Sequence, residues 1–188
     1  MRSDRGLREK ATLGVAWLRA ASLLRRHRVR HGDWPSITGA APRISNRGTI
    51  TVGRHFAVRG EQFRCAFGAD PGAVLEIGDD VFVNHGATIH ATRRITIGSN
   101  VRIGDQSAIY DSSYHEVDPG EGVESADVVI GDDVWLARGV VVLPGSEIGE
   151  GSVIGAGSVV RGSIPPWVVA AGSPARVVRE IRTRGRRR

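Results

Sequence analysis

Aliphatic side chains recur every sixth position at Ile130, Leu136, Val142, Ile148, Ile154 and Val160, a spacing that leaves this chain very few folds. The same frame puts small or β-branched residues four positions later, at Val134, Val140, Ser146, Ser152 and Ser158, and Gly directly after Ile130, Ile148 and Ile154. A period of six is neither the 3.6 of a helix nor the 2 of a plain strand, so each unit must be a short strand plus a corner. Three units close one triangular coil, and residues eighteen apart stack inside a prism. An earlier run, Ile77, Val83, Ile89 and Ile95, slips by two residues and resumes at Ile97, Ile103 and Ile109; the slip is read as a bulged corner. Ile44, Ile50, Val52 and Val58 mark weaker leading coils.

Composition agrees with a turn-rich aliphatic prism: 25 glycines and only 5% aromatic residues in 188 argue against a bundle or an ordinary sandwich. The chain is long enough for one core, with appended ends. We divide it into a basic N-terminal helical segment (1–32), the β-helix (33–163) with an excursion at 110–129, and a closing segment with a basic tail (164–188). The tail from Arg182 to Arg188 is expected to be disordered.

Residues 1–31 carry nine basic and two acidic groups, and residues 176–188 carry seven and one, so the basic balance sits in two arms around an acidic body. That distribution, without interleaved aromatics, argues against a nucleic-acid stripe. Cys65 is the single cysteine and can form no internal disulfide, which points to a reducing, cytoplasmic setting. The apolar stretch Leu13 to Leu24 is interrupted by Arg19 and is too short to span a bilayer, and without a cleavage site after a clean apolar run it does not read as a signal peptide. Two roles are open to residues 7–30, with Leu7, Val15, Trp17, Leu18, Leu23 and Leu24 among arginines: a helix packed beside the first coil, or one lying on the inner face of an anionic membrane.

The hexads, the exit Ile164-Pro165-Pro166-Trp167 and the closure Gly172-Ser173-Pro174-Ala175 together resemble the hexapeptide-repeat acyltransferases, particularly the galactoside, maltose and polysaccharide O-acetyltransferases. The likeness runs from about Ile44 to Ile181. It implies an all-β fold, a left-handed parallel β-helix with an N-terminal α-helix and a short C-terminal closing helix. Periodicity does not supply the hand. The resemblance further implies a homotrimer whose sites lie between subunits, acetyl-coenzyme A as acyl donor, no metal, and a saccharide or glycoconjugate hydroxyl as acceptor, an amine staying open; with no serine or cysteine in a nucleophile motif, direct transfer is expected.

The residues support a site in their own right. The hexads stop at Ile109 and restart at Ile130, and the polar excursion between them opens with Tyr110-Asp111-Ser112-Ser113-Tyr114-His115. Irregular segments on a rigid scaffold favour function, and an imidazole suits removal of a hydroxyl proton during attack on a thioester. By resemblance His115 is that base; a solvated loop histidine is the plainer alternative. Asp111 is a candidate to orient it, in competition with Glu116, Asp118, Glu121, Glu124 or a backbone carbonyl. Asn84 matches a position bordering the acceptor, or is a corner asparagine. Trp135 matches an aromatic lining the thioester end of the groove, or packs the trimer. Ala137, Arg138, Gly155 and Ala156 are expected to track the pantetheine arm, and Arg161, Arg176 and Arg179 to meet the phosphates. Gly162 stands where relatives often have Lys, so Arg161 takes that part from one position away.

Two rivals differ in class. His85 and His90 resemble metal ligands of γ-class carbonic anhydrases, which share the fold, with His55 one step out of register as the third. The other is a non-catalytic β-helical scaffold that binds through its basic arms. The acceptor pocket is expected from the 110–129 excursion and the irregular segment around 61–75.

Overall fold

The computed structural model describes residues 2–116 and 118–182, so the basic tail expected to be disordered lies almost wholly outside the described residues. A helix, α1 (Arg2–Arg26), precedes a three-sided parallel β-solenoid. The chain visits its three sheets in rotation. Sheet A has seven strands, from Arg30–His31 to Ser163–Ile164. Sheet B has eight, from Ser36–Gly39 to Ala175–Glu180, and sheet C six, from Arg43–Asn46 to Val159–Val160.

The hexad residues form the inner columns. Ile97, Ile130, Ile148 and Ile164 are in register up sheet A; Val83, Ile103, Leu136, Ile154 and Ala170 up sheet B; Ile89, Ile109, Val142 and Val160 up sheet C. All are buried. Each Val, Leu or Ile side chain among them is worth about 1.5–3 kcal/mol on leaving water. The serines of the repeat are buried with them and satisfied: Ser146 Oγ donates to the Val160 carbonyl (3.0 Å) and Ser152 Oγ to that of Pro165 (2.8 Å).

Two expectations need correction. The slip at Ile95–Ile97 is not a bulged corner. Arg94–Ile97 is a regular four-residue strand in unbroken register with Val74–Ile77, and its alternate residues Ile95 and Ile97 both face inward, as a period of two dictates. The closing segment is not a helix either. Ala175–Glu180 turns back through Gly172 and pairs antiparallel with Val168–Gly172, which satisfies the backbone of the last sheet B rung and places β-branched Val177 and Val178 in strand.

Glycine is obligatory at one corner in particular. Gly151 has φ +69°, and a Cβ there would stand 2.4 Å from the Trp167 ring laid over it. At the other end α1 packs on the first coil, burying Ala20 and Leu24 with Val29, Ile37 and Phe56, while Arg19 Nη2 donates to the Gly39 carbonyl (2.9 Å). Its outward face carries exposed Val15, Leu18, Arg25 and Arg26. No described helix is long and apolar enough to cross a membrane.

Candidate active site

The excursion leaves sheet C after Ala108–Tyr110 and rejoins sheet A at Val128–Ile130, so it projects from the edge between those two sheets. Its neck is tied like a hairpin. Ser112 and Ser125 form an antiparallel bridge, Ser113 N–H donates to the Glu124 carbonyl (2.9 Å), and Ala126 N–H to that of Asp111 (3.0 Å). Asp111 is fully buried beneath this neck. One carboxylate oxygen accepts from Thr92 N–H (2.8 Å) and Thr92 Oγ1 (2.9 Å), the other from Arg93 N–H (2.8 Å). Arg93 also pairs with Asp127 at the far side of the neck. Asp111 therefore anchors the excursion to the coil below, and nothing in its contacts turns it toward His115. Glu116, a competitor for that role, accepts from Gly120 N–H within the loop (3.1 Å).

His115 is exposed on the excursion, and Ser113 Oγ donates to its carbonyl (2.9 Å). Tyr114, the residue before it, has φ +60°, a conformation rare outside glycine and often kept where surroundings enforce it. Ser112 Oγ accepts its N–H (3.1 Å). The Tyr114 ring lies 5.7 Å from Tyr110, edge to face, and 5.8 Å from His90. Burial there, with the neighbouring Tyr110 and Asp111, pushes the Tyr114 phenol up to about 12, so it stays a neutral donor. Between this loop and sheet C lies a cleft of about 630 Å³, with Thr88, His90 and Tyr110 on its floor and Leu143, Pro144 and Arg161 along one side.

Another edge, between sheets B and C, carries most of the other candidates. Its corners stack by backbone hydrogen bonds: Gly86 N–H to the Phe63 carbonyl, Gln106 to His85, Gly139 to Asp105 and Gly157 to Arg138, at 2.7–3.0 Å. Asn84 sits at the His85 level, half-buried, its Oδ1 accepting from His85 N–H (3.1 Å). Ala137, Arg138, Gly155 and Ala156 lie above it, forming a strip of small residues and exposed peptide interrupted by Arg138, whose Nη2 donates to Gln106 (3.1 Å). That strip can receive a slender extended arm. Trp135 stands on the adjoining face of sheet B, exposed between Arg102 and Val153. Arg176 and Arg179 project from the closing strand at the top of sheet B.

The candidates thus fall into two groups. Asn84, Trp135, Ala137, Arg138, Gly155, Ala156, Arg176 and Arg179 gather along the B–C edge and sheet B. His115, Asp111 and Arg161 belong to the C–A edge, where Arg161 faces Glu124 at 3.8 Å. Arg161 is therefore not beside the other two arginines of its own chain. Sequence reasoning gave Tyr110 no role and weighed His90 for metal or as an outward side chain but not for this cleft, although each follows an inward isoleucine by one residue and so had to face outward from the same sheet, paired with the other. The three histidines of the metal rival do not converge within the chain. His55 pairs with Asp80 at an A–B corner (2.9 Å), His85 lies near Glu61 (3.6 Å), and His90 meets Asp70 on sheet C (3.3 Å).

A family profile described as bacterial transferase hexapeptide (six repeats) matches residues 127–162. The lipopolysaccharide biosynthesis O-acetyl transferase homologue WbbJ of Escherichia coli K12 is 39% identical over 150 residues, 73% of this chain and 74% of that protein. The galactoside O-acetyltransferase of the same organism is 41% identical over 116 residues, 60% of this chain; the chain spans only 57% of that relative's length. A hexapeptide-repeat acetyltransferase from Vibrio cholerae O1 biovar eltor, solved with acetyl-coenzyme A, superposes with a TM-score of 0.60 at 26% identity, covering 86% of this chain and 76% of that one. Repeat, solenoid and relatives agree that the chain belongs to the hexapeptide-repeat acyltransferase family.

Proposed function

We propose that the protein moves an acetyl group from acetyl-coenzyme A to a hydroxyl of a saccharide or glycoconjugate, with His115 as general base, in a site completed by a second copy of the chain. The observation that carries this is the separation of the two groups of residues. The excursion with His115 leaves one edge of the prism, while the small-residue strip able to take a pantetheine arm runs along another, with all of sheet C between them. Packing one chain's C–A edge against its neighbour's B–C edge closes that gap and sets Arg161 opposite the partner's donor strip. A closed ring of three identical contacts satisfies every edge.

In this arrangement the acceptor hydroxyl gives its proton to the His115 imidazole as its oxygen attacks the thioester carbonyl. The carbon–sulfur bond breaks, and the proton passes on to the departing thiolate. Among the candidate residues no serine or cysteine stands in a nucleophile arrangement, so transfer is direct. Charge building on the carbonyl oxygen is met by backbone N–H groups of the rigid corners. Asn84 holds the acceptor, Trp135 walls the thioester, and Arg176 and Arg179 bind phosphate. The name of the lipopolysaccharide-biosynthesis relative supports surface-glycan assembly as the setting. Cys65, a buried thiol that burial pushes further up, suits a reducing cytoplasm.

Mixed assemblies test the shared site. Asn84→Ala and His115→Ala chains, each inactive alone, should regain about a quarter of wild-type turnover when co-refolded, because random mixing leaves that share of sites with both groups intact. Activity that never exceeds the sum of the two separate preparations would rule out a site shared in this way.

A further inference from the structure

Along the B–C edge the corners climb one coil at a time, about 4.8 Å apart. From the top they run Gly155–Gly157, Ala137–Gly139, Gly104–Gln106, Asn84–Gly86 and Glu61–Phe63, each hydrogen-bonded to the next. If the donor's phosphates lie by Arg176 and its thioester ends near Asn84, the upper coils are occupied by the donor. The acceptor must then come from below, onto the coil of Glu61 to Phe63.

That coil is built unlike the ones above it. Instead of the small residues of the two uppermost corners, it presents with His85 of the next corner a shallow pocket of about 320 Å³ lined by Thr38, Arg59, Glu61, Gln62 and His85. Arg59 is held over the Phe82 ring, 5.3 Å from its centroid, which limits where its guanidinium can reach. A hydrogen bond from Thr38 holds the Glu61 carboxyl below the usual carboxylate range, so it is an acceptor at neutral pH. Gln62 N–H donates to His85 Nδ1 (3.4 Å), fixing the corner against the level of Asn84. Beside the pocket Phe63 is 53% exposed, its Cβ pressed toward Gly86, where a side chain's first carbon would come within 3.1 Å of it. An exposed ring next to a cluster of fixed donors and acceptors is the chemistry that receives a hydroxyl-bearing ring. The aromatic face covers its C–H surface, and carboxylate, amide and guanidinium meet its hydroxyls.

We infer that the corner Glu61–Phe63, with Thr38, Arg59 and His85, is the subsite for the acceptor's sugar ring, one coil below the reacting centre. This rests on the proposed acetyl transfer, and the two can fail separately. The full-length protein is assayed by release of coenzyme A thiol, with nitrophenyl β-galactoside and nitrophenyl β-glucoside as acceptors. Phe63→Ala and Arg59→Met should each raise the acceptor KM about tenfold while the acetyl-coenzyme A KM stays within about twofold, and Phe63→Tyr should restore it. An unchanged acceptor KM overturns the subsite while leaving the transferase reading intact. Dissociation of the Phe63→Ala assembly also overturns it, since Phe63 would then be an intersubunit contact. If wild type moves no acetyl group to either glycoside, the saccharide reading fails on its own. The subsite is then judged by saturation-transfer NMR with the same two glycosides: signal lost in Phe63→Ala supports it, and no Phe63-dependent signal overturns it.

Discussion

Asp111 takes both the backbone N–H and the hydroxyl of Thr92 on one carboxylate oxygen, nineteen residues away and one coil below. This carboxylate, buried under the neck of the excursion, fixes where the loop departs and so where His115 can reach. Asp111→Asn keeps the shape but lacks the charge and one acceptor oxygen, leaving the Arg93 N–H unmet. Hydrogen bonds to charged groups contribute about 1.5–3 kcal/mol each. We expect a loss of about 2–3 kcal/mol in urea denaturation and faster hydrogen exchange at the Ser113 and Ala126 amides, which close the neck. Thr92→Val, removing only the hydroxyl, should cost about 1 kcal/mol.

His115→Ala should leave the assembly and the coenzyme A affinity as they are, because the side chain is exposed and belongs to no core. Its kcat should fall about 10²–10⁴-fold, the usual worth of a positioned base. Turnover equal to wild type in a thiol-release assay would take His115 out of the mechanism.

Acid stability should depend on Asp70. The hydrogen bond from Arg47 (2.6 Å) outweighs the opposing effect of burial and, with a lesser one from His90, holds its carboxyl below the usual range. A depressed folded-state value means the contribution is present above the unfolded value, near 3.9, and disappears as pH falls through the folded one. Denaturation of wild type and Asp70→Asn should therefore differ at pH 7 and converge below about pH 4. A gap that widens in acid would reverse the sign.

Gly151→Ala should destabilise more than its size suggests. The added methyl meets the Trp167 ring at 2.4 Å and demands a left-handed backbone besides, so a loss of about 1–3 kcal/mol in thermal or urea unfolding is expected. Ile103→Ala, in the middle of the sheet B column, should cost about 2–5 kcal/mol.

The inner columns could be read from sequence because the repeat is itself a packing rule: Leu136 and Ile154, eighteen apart, are in register and buried. The same rule, pressed further, separates Arg161 from the donor strip. Gly155 is eighteen residues from Ala137 and shares its edge, whereas Arg161 is six beyond Gly155 and falls on the next one. Asp111 could not be read in this way. Its partners follow from where coils lie after an excursion that no period describes, and the choice between orienting His115 and tying a neck is made by burial alone. The closing strand was missed for a related reason, since its course is set by the open rung it pairs with rather than by its own residues.

The stack is plugged at its lower end and covered along one of its three upper edges. A parallel solenoid ends in a triangle of unpaired strand edges that would welcome another molecule's first coil, and from there a thread of molecules could grow without limit. Leu24 and Ala20 of α1 plug the lower triangle, and at the upper end Ala175–Glu180 runs backward along the last rung of sheet B, so a would-be successor meets a strand pointing the wrong way. Clipping away that reversed strand should bare the sheet B edge beside those of sheets A and C, and light scattering should then detect end-to-end association.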